Sequence, residues 1–348
     1  MTDCRLDRRA MLGTAAVAVA AATLPAGATA DTKSPRAAPE VTKINVAVGG
    51  RTLLVYLPFM LATFRGAFGR QGLDVELLDL SGGTKALEAL VGGSADFVSG
   101  AYEHVVLLAL KGIRLKSIVL QDDSFGLVIA VDRAKAQTLR SAADLKGRIV
   151  GVTSPGSSSS IGLRLFLARA GLSETDVSVI GVGAGPAAVA AMTSGRIDAI
   201  SNFDPVIAML ERSDAVRPLI DTRNADDLKS LYGGPIAASS VYTTEAFLRR
   251  NPGTVQAVAN AMYETLGWLR SATVDDIVNS VPPEFYGSDR AFYAGIVAKN
   301  RGQFSGDGLI TPAKADATRR ALGIAGDNRL DLADTFDMSF MRAAASIR

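Results

Sequence analysis

Four consecutive serines, Ser157–Ser160, are the first feature of this chain that could do chemistry. Such a run fits three interpretations: an idle linker, a catalytic nucleophile with its neighbours, or a cradle for a negatively charged group. Gly156 permits a tight turn before the serines, and a serine beside it is a favourable N-cap for a helix. Backbone N–H groups at a helix N-terminus, together with hydroxyls, form an anion site. Because capping needs one serine and not four, we predict ligand contacts at Ser157 and Ser158, while the next two serines only turn the helix.

A serine nucleophile is the weaker interpretation of the same residues. The flanking glycines, Gly156 and Gly162, do not give the G-x-S-x-G spacing of a nucleophile elbow. The sole histidine of the chain, His104, would have to reach the serines from a distant segment and be oriented by an acid. A structural role for this histidine is the simpler interpretation. We therefore predict no catalytic residue.

Further candidate residues lie in loops that follow predicted strands. In open parallel sheets, ligands collect outside the carboxyl ends of the strands. The predicted ligand-binding residues, in chain order, are Arg51, Thr52, Ser81, Gly82, Tyr102, Ser157, Ser158, Asn202, Phe203 and Asp204. No metal ligand belongs to this set, because the chain has one histidine and its carboxylates are scattered.

Three of these residues also have plain structural interpretations. The guanidinium of Arg51 can hold two oxygens of a carboxylate or sulfonate, but a loop arginine can equally be solvated. Tyr102 and Phe203 can stack on a ligand or simply pack in a core. The acidic pair Asp122-Asp123 is interpreted as a solvated turn.

The elements that would carry these loops alternate along the chain. From Val41 onward, short β-branched runs alternate with helical segments of about ten residues, which favours parallel βαβ units with helices on both faces of a sheet. The series restarts after "GLVIAVDR", and "LVGGSADFVS" has a counterpart in "MTSGRIDAIS". In each, a helix is predicted to end at a glycine, Gly93 or Gly195, which suits a left-handed closing residue. The pattern predicts two related lobes, followed by a mainly helical C-terminal third.

The N-terminus has a different composition. Residues 1–30 contain Arg8-Arg9, an apolar run and an A-x-A pattern ending at Ala30, which predict an export signal of the twin-arginine type, cleaved near Ala30. Residues 31–40 are predicted to be a disordered spacer. Since Cys4 is the only cysteine, the mature chain would have no thiol chemistry. The balance of 37 basic and 35 acidic residues shows no basic stripe, so nucleic acid is not an expected partner.

The chain resembles the periplasmic solute-binding proteins of ABC importers. The branch it resembles serves nitrate, taurine and other sulfonates and is related to the NMT1/THI5-like proteins. The resemblance rests on "GGTKALEALVGGSADFVSG", "SAADLKGRIVGVTSPGSSSS", "MTSGRIDAISNFDP" and "TTEAFLRRNP". It implies a two-lobed α/β fold of the type II periplasmic-binding-protein class, in which two crossovers join lobes that each hold a mainly parallel sheet flanked by helices. Lobe 1 would comprise residues 41–130 and 235–348, and lobe 2 residues 131–234.

The function implied by this resemblance is capture and delivery. An exported, periplasmic, non-enzymatic monomer would bind a small organic anion in the cleft between its lobes and pass it to an ABC permease in the inner membrane, without a cofactor. Relatives often place Trp or Tyr with Glu before the proline where this chain has "NFDP". For that reason no substrate is transferred from them.

Two alternatives stay open at this stage. One is an enzyme on the same fold, a pyrimidine-precursor synthase of the THI5 type that would use His104 and a lysine-bound pyridoxal phosphate. The other is a sensory module that binds a ligand without any transporter.

Overall fold

The computed structural model describes residues 38–324 and 330–347. The predicted export signal and most of the predicted spacer lie outside these residues. None of the helices within the described ranges is both long enough and apolar enough to cross a membrane.

The described residues alternate strands and helices, as the sequence predicts. The strands are β1 (Lys43–Val48), β2 (Asp74–Asp79), β3 (Phe97–Ala101), β4 (Leu115–Leu120), β5 (Val128–Asp132), β6 (Ile149–Val152), β7 (Ser178–Gly181), β8 (Ala199–Asn202), β9 (Val216–Asp221) and β10 (Ser239–Thr244). The helices are α1 (Leu57–Phe64), α2 (Ala67–Arg70), α3 (Gly83–Val91), α4 (Tyr102–Ala109), α5 (Ser158–Ala168), α6 (Pro186–Thr193), α7 (Val206–Arg212), α8 (Ala225–Tyr232), α9 (Glu245–Arg250), α10 (Pro252–Ser271), α11 (Val274–Asn279), α12 (Arg290–Asn300), α13 (Pro312–Ala321) and α14 (Ser339–Ala345).

Two mixed sheets organise these elements. The first has the strand order β2-β1-β3-β10-β4, and the second has the order β7-β6-β8-β5-β9. In each sheet one strand runs antiparallel to its neighbours, β10 in the first and β5 in the second. These are the strands that the chain enters after crossing from the other sheet. We call the half built on the first sheet lobe 1 and the half built on the second sheet lobe 2. The predicted two-lobed α/β fold is confirmed, whereas the predicted residue limits of the lobes stay a prediction.

The inner strands are buried, which explains why their sequences are short apolar runs. All five residues of β3 and all four of β8 are buried, as expected for strands covered by helices on both faces. The outer strands β2 and β7 are only partly buried. The sheets therefore form the centre of each lobe, and the loops at their strand ends remain near the surface where the lobes meet.

The two lobes share a local motif, a closing glycine followed three residues later by an aspartate, as the similarity of the two sequence segments indicates. Gly93 and Gly195 follow α3 and α6 with φ of +78° and +71°. Three residues later, Asp96 accepts a hydrogen bond from the backbone N–H of Asn45 at 2.8 Å, and Asp198 accepts one from Ile149 at 2.8 Å. Each aspartate thus fixes the start of the neighbouring parallel strand.

Helices of the C-terminal third cover lobe 1 and also reach lobe 2. The longest of the described helices, α10, packs against α1 and α14. At the end of α12, the Asn300 amide donates to Asp204 of lobe 2 at 2.6 Å. The lobes are therefore connected by this hydrogen bond between side chains as well as by the two backbone crossovers.

Candidate functional site

The strand-end loops of the two lobes face and touch each other. The Thr84 hydroxyl, at the start of α3, donates to the Pro155 carbonyl at 2.9 Å. His104 Nε2, in α4, is 3.3 Å from the carbonyl oxygen of Gly156. We call the surface on which these loops meet the interlobe face; the structure shows it closed.

Two glycines permit this close approach. A Cβ on Gly82 would lie 2.5 Å from Ser154 Oγ, and one on Gly50 would lie 2.6 Å from the Ala184 Cβ. Both glycines have positive φ, +156° and +108°. A side chain at either position would collide across the interlobe face as well as strain the backbone. Gly82 is one of the residues predicted from the sequence.

A group of buried and half-buried polar side chains lies behind this contact. We call Glu103, His104, Ser154, Ser158 and Tyr232 the polar cluster. The Ser158 hydroxyl donates to the Glu103 carboxylate, and the Tyr232 ring lies close enough for the charge of Glu103 to raise the pKa of its hydroxyl further, beyond the effect of burial. Four buried atoms of the cluster have no hydrogen-bond partner: Glu103 Oε1, His104 Nδ1, Ser154 Oγ and Tyr232 Oη. Buried polar atoms in proteins are normally paired, so four unpaired ones in a single interface indicate a place for a ligand.

Burial sets the protonation of the two titratable groups of the cluster. It raises the pKa of Glu103 to about 7, although the Ser158 hydroxyl and the charge of Arg164 act against this shift. Burial lowers the pKa of His104 to about 4, against the effect of its bond to the Gly156 carbonyl. The imidazole is therefore neutral at neutral pH. Since a carbonyl oxygen only accepts, Nε2 carries the hydrogen and Nδ1 presents a lone pair.

Helical geometry explains why Glu103 and not Tyr102 faces lobe 2. Helix α4 begins directly after β3, and consecutive helical residues point about 100° apart. Tyr102 packs on the far side of the first sheet, where its hydroxyl bonds to Thr335, and its predicted ligand contact is not supported by this placement. Glu103 and His104 point towards lobe 2. Sequence reasoning missed Glu103, although a single carboxylate inside the apolar run from Phe97 to Leu110 was a usable signal of a buried functional group.

The four serines separate into different roles. Ser157 Oγ bonds within lobe 2 to Thr153 Oγ1 at 2.8 Å and to Ser159 Oγ at 2.9 Å. Ser160 donates to Glu174 at 2.7 Å. Ser158 bonds across the interlobe face to Glu103. Helix α5 starts without a side-chain cap, so no capping side chain occupies its first backbone N–H groups. This start adjoins the contacts that Gly156 and Ser158 make with lobe 1.

The predicted residues of the "NFDP" loop are held by other contacts. The Asn202 amide donates to the Gly183 carbonyl at 3.1 Å, and Phe203 is buried, with its ring 6.4 Å from that of Phe125. Asp204 is buried and accepts from Arg223 at 3.1 Å. The structure does not bring these three side chains to the polar cluster.

The predicted residues of the first two loops lie nearer the rim. Arg51 is 3.4 Å from Asp79 and 3.3 Å from Glu284, so its guanidinium already has two carboxylate partners. Ser81 is exposed beside Gly82. Ligand contacts of these residues stay predictions.

Thr52 lies in a separate cavity of about 630 Å³ between α7 and the segment that leads into α12. Most of its wall is apolar, and we call it the apolar groove. Its lining includes Pro186, Pro205, Met209, Phe285, Tyr286 and Phe292. Within residues 38–324 and 330–347, no group of three or more His, Cys, Asp or Glu side chains could hold a metal ion.

Comparison with known families agrees with this architecture. The chain matches the NMT1-like family over residues 37–280 and belongs to that family. The predicted resemblance to NMT1-type solute-binding proteins is thereby confirmed.

Solved structures extend the comparison to nearly the whole fold. A protein from Bordetella bronchiseptica RB50 is 41% identical, covers 88% of this chain and 98% of its own, and superimposes with a TM-score of 0.84. The alkanesulfonate-binding protein SsuA from Xanthomonas axonopodis pv. citri, bound to MOPS, is 19% identical, with coverage of 86% and 99% and a TM-score of 0.67. The periplasmic nitrate-binding protein NrtA from Synechocystis PCC 6803 is 17% identical, with coverage of 89% of both chains and a TM-score of 0.69. The last two show the fold alone, and it is that of type II periplasmic binding proteins.

Curated relatives match a shorter segment. A Brucella abortus (strain 2308) protein, named provisionally as a binding protein, is 32% identical over 152 residues, which are 43% of this chain. The match spans 45% of the length of that relative.

Proposed function

We propose that this chain is an exported, periplasmic substrate-binding protein that captures a small organic anion between its lobes and delivers it to an ABC permease in the inner membrane. The ligand class comprises sulfonates, nitrate, and aromatic or aliphatic carboxylates. The protein acts as a monomer and performs no chemical step on its ligand. Membership of the NMT1-like family supports the general role.

The observation that carries the proposal is the polar cluster at the uncapped start of α5. The N-terminal N–H groups of a helix carry partial positive charge and attract anions. In the closed arrangement, four polar atoms of the cluster lack partners, and each such atom disfavours closure. A ligand that supplies partners would remove this penalty and shift the equilibrium towards the closed state.

The fold provides the movement that capture requires. Only two crossover segments, 121–127 and 233–238, join the sheets through the backbone of the described residues. Hinge closure about such segments is an established way to enclose a ligand. Opening would break the contacts of Thr84 and His104 with lobe 2 and expose the start of α5.

Two structural neighbours support the anionic class of ligand. One binds alkanesulfonates and the other nitrate. Because both are less than 25% identical to this chain, they support the class of ligand and do not identify it.

The test is a binding screen on residues 31–348. Thermal unfolding and titration calorimetry with nitrate, ethanesulfonate, propionate, benzoate, 2-aminoethanesulfonate and 4-aminobenzoate should find at least one anion that binds and raises the melting temperature. Ser158→Ala should weaken that binding, and Ser194→Ala, at an exposed serine of lobe 2, should leave it unchanged. Stabilisation by neutral compounds alone would contradict the anionic class.

A test in cells addresses delivery. Deleting the gene should abolish high-affinity uptake of the anion identified in the screen, and the full-length gene should restore it. Unchanged uptake would contradict the role in import.

A further inference from the structure

Two hydrogen-bond acceptors on consecutive residues in the first turn of α4 have no donor. His104 donates through Nε2 to Gly156, which leaves the Nδ1 lone pair facing no partner. Glu103 is only 2% exposed, and its Oε1 also lacks a partner. At pH 8 Glu103 is mostly ionised, because its pKa is about 7, and His104 Nδ1 carries no hydrogen, so both atoms can only accept. An unpaired atom that can only accept is a more specific signal than an unpaired hydroxyl, which can rotate to donate or to accept.

The groups that face this pair do not supply the missing donors. From α5, Ser158 already bonds to Glu103, and Arg164 acts on it through charge while its own side chain is exposed. From α8, the Tyr232 hydroxyl lies near Glu103 without a bond to it. The hydroxyl of Tyr56, the residue before α1, accepts from the backbone N–H of Gly49 and is bonded to neither of the two acceptors. An oxyanion alone would thus meet N–H groups at the start of α5 but only acceptors on α4.

On the premise of the proposed function, we propose that Glu103 and His104 form a subsite for N–H donors of the ligand. The substrate is then an organic anion that carries an amino, amidino or ring N–H group a few bonds from its charge, and nitrate and unsubstituted sulfonates or carboxylates are poor ligands. The anionic group lies at the start of α5, and the nitrogen lies between Glu103 Oε1 and His104 Nδ1.

Such a subsite should discriminate strongly between ligands that carry an N–H donor and ligands that lack one. A site built to hydrogen-bond a polar group rejects an analogue that lacks it, because its own buried groups then stay unpaired. A hydrogen bond to a charged acceptor is stronger than one between neutral groups. Loss of the amino group from a ligand should therefore weaken binding by at least about tenfold.

The experiment compares ligands that differ by one amino group. Calorimetry on the mature chain at pH 8 would use 2-aminoethanesulfonate against ethanesulfonate, 4-aminobenzoate against benzoate, and 2-aminoethanol as an amine without an anion. We expect the amino member of at least one pair to bind about tenfold or more tightly. Glu103→Gln should remove that difference, whereas Glu88→Gln, at an exposed glutamate paired with Lys85, should preserve it.

A second readout uses the histidine itself and does not depend on a variant. Because His104 is the sole histidine, its imidazole nitrogens can be observed directly by ¹⁵N NMR. Binding of the amino ligand should shift Nδ1 upfield as it accepts a hydrogen bond, and the unsubstituted ligand should not. A purely structural role of His104 predicts the same spectrum with both ligands.

Each outcome separates the two proposals. If both members of each pair bind equally, the donor subsite is wrong and anion capture stands. If 2-aminoethanol binds in a Glu103-dependent manner and none of the anions binds, the subsite stands and the anionic class is wrong. If none of the five compounds binds, both proposals are contradicted.

Discussion

Two regions join the lobes, and they differ in whether their buried titratable groups are fully paired. In the polar cluster, a buried carboxylate and a neutral imidazole each keep one atom, Glu103 Oε1 and His104 Nδ1, without a partner. At the other end of the interlobe face, Arg223 is 1% exposed and lies between Asp204 at 3.1 Å, Glu211 at 2.5 Å and Asp221 at 2.7 Å. We call this second region the arginine network; it also includes Asn300 and Lys299 of α12 and the pair Arg212–Asp289.

The difference shows which contacts depend on a ligand. In the arginine network, burial alone would lower the pKa of Arg223, but its hydrogen bonds and three carboxylates raise it well above the ordinary value. Asn300 donates to Asp204 at 2.6 Å, which links α12 to lobe 2. This region is complete without a ligand and the polar cluster is not. Stability should therefore reside in the arginine network and ligand binding in the polar cluster.

The largest expected effect comes from removing the cation of the arginine network. Arg223→Met should lower the free energy of unfolding by about 3–5 kcal/mol, because buried carboxylates lose their counter-charge. Urea denaturation of the ligand-free protein measures this loss. A loss below about 1 kcal/mol would mean that the network behaves like a solvated surface pair.

The opposite change is expected in the polar cluster. Glu103→Gln should raise the free energy of unfolding of the ligand-free protein at pH 8 by about 1–3 kcal/mol, because a buried, poorly paired charge is removed. The folded-state pKa of Glu103 is raised to about 7 from its ordinary value of 4.5. The destabilisation caused by the ionised carboxylate therefore appears as the pH rises from the lower of these values to the higher. At pH 4, below both pKa values, the variant and the wild type should be about equally stable. Destabilisation by the variant at pH 8 would show that the carboxylate has a partner in the empty protein.

The smallest expected effect lies at the exposed edge of the arginine network. Arg212 and Asp289 are 2.6 Å apart, but their side chains are 56% and 40% exposed. Arg212→Met should change the free energy of unfolding by less than about 1 kcal/mol, and 1 M NaCl should abolish the difference. It serves as the matched control for Arg223→Met. Equal losses in the two variants would remove the distinction between buried and exposed parts of the network.

The elements that repeat locally could be predicted from the sequence. The closing glycines and the aspartates of "LVGGSADFVS" and "MTSGRIDAIS" occupy equivalent places in the two lobes, and the strand–helix alternation gave the fold class. Gly82 was placed at the interlobe face because strand ends converge in such folds. These inferences need only local spacing and one general rule of topology.

The partners of buried charges could not be predicted, because they come from distant segments. Asp122 was interpreted as part of a solvated turn, and this was wrong: it is fully buried in the first crossover and bonded to Ser239, which is 117 residues away. Arg223 gave no signal, since its network joins three separate elements. Tyr102 was named instead of Glu103 because a shift of one residue in a helix changes the face on which a side chain lies.

A crystal structure of residues 31–348 with the tightest-binding amino-substituted anion would show whether the polar cluster is the binding site. We expect the anionic group at the start of α5 and the ligand nitrogen within hydrogen-bond distance of Glu103 Oε1 and His104 Nδ1. A ligand seated in the apolar groove, with those two atoms still unpaired, would contradict it.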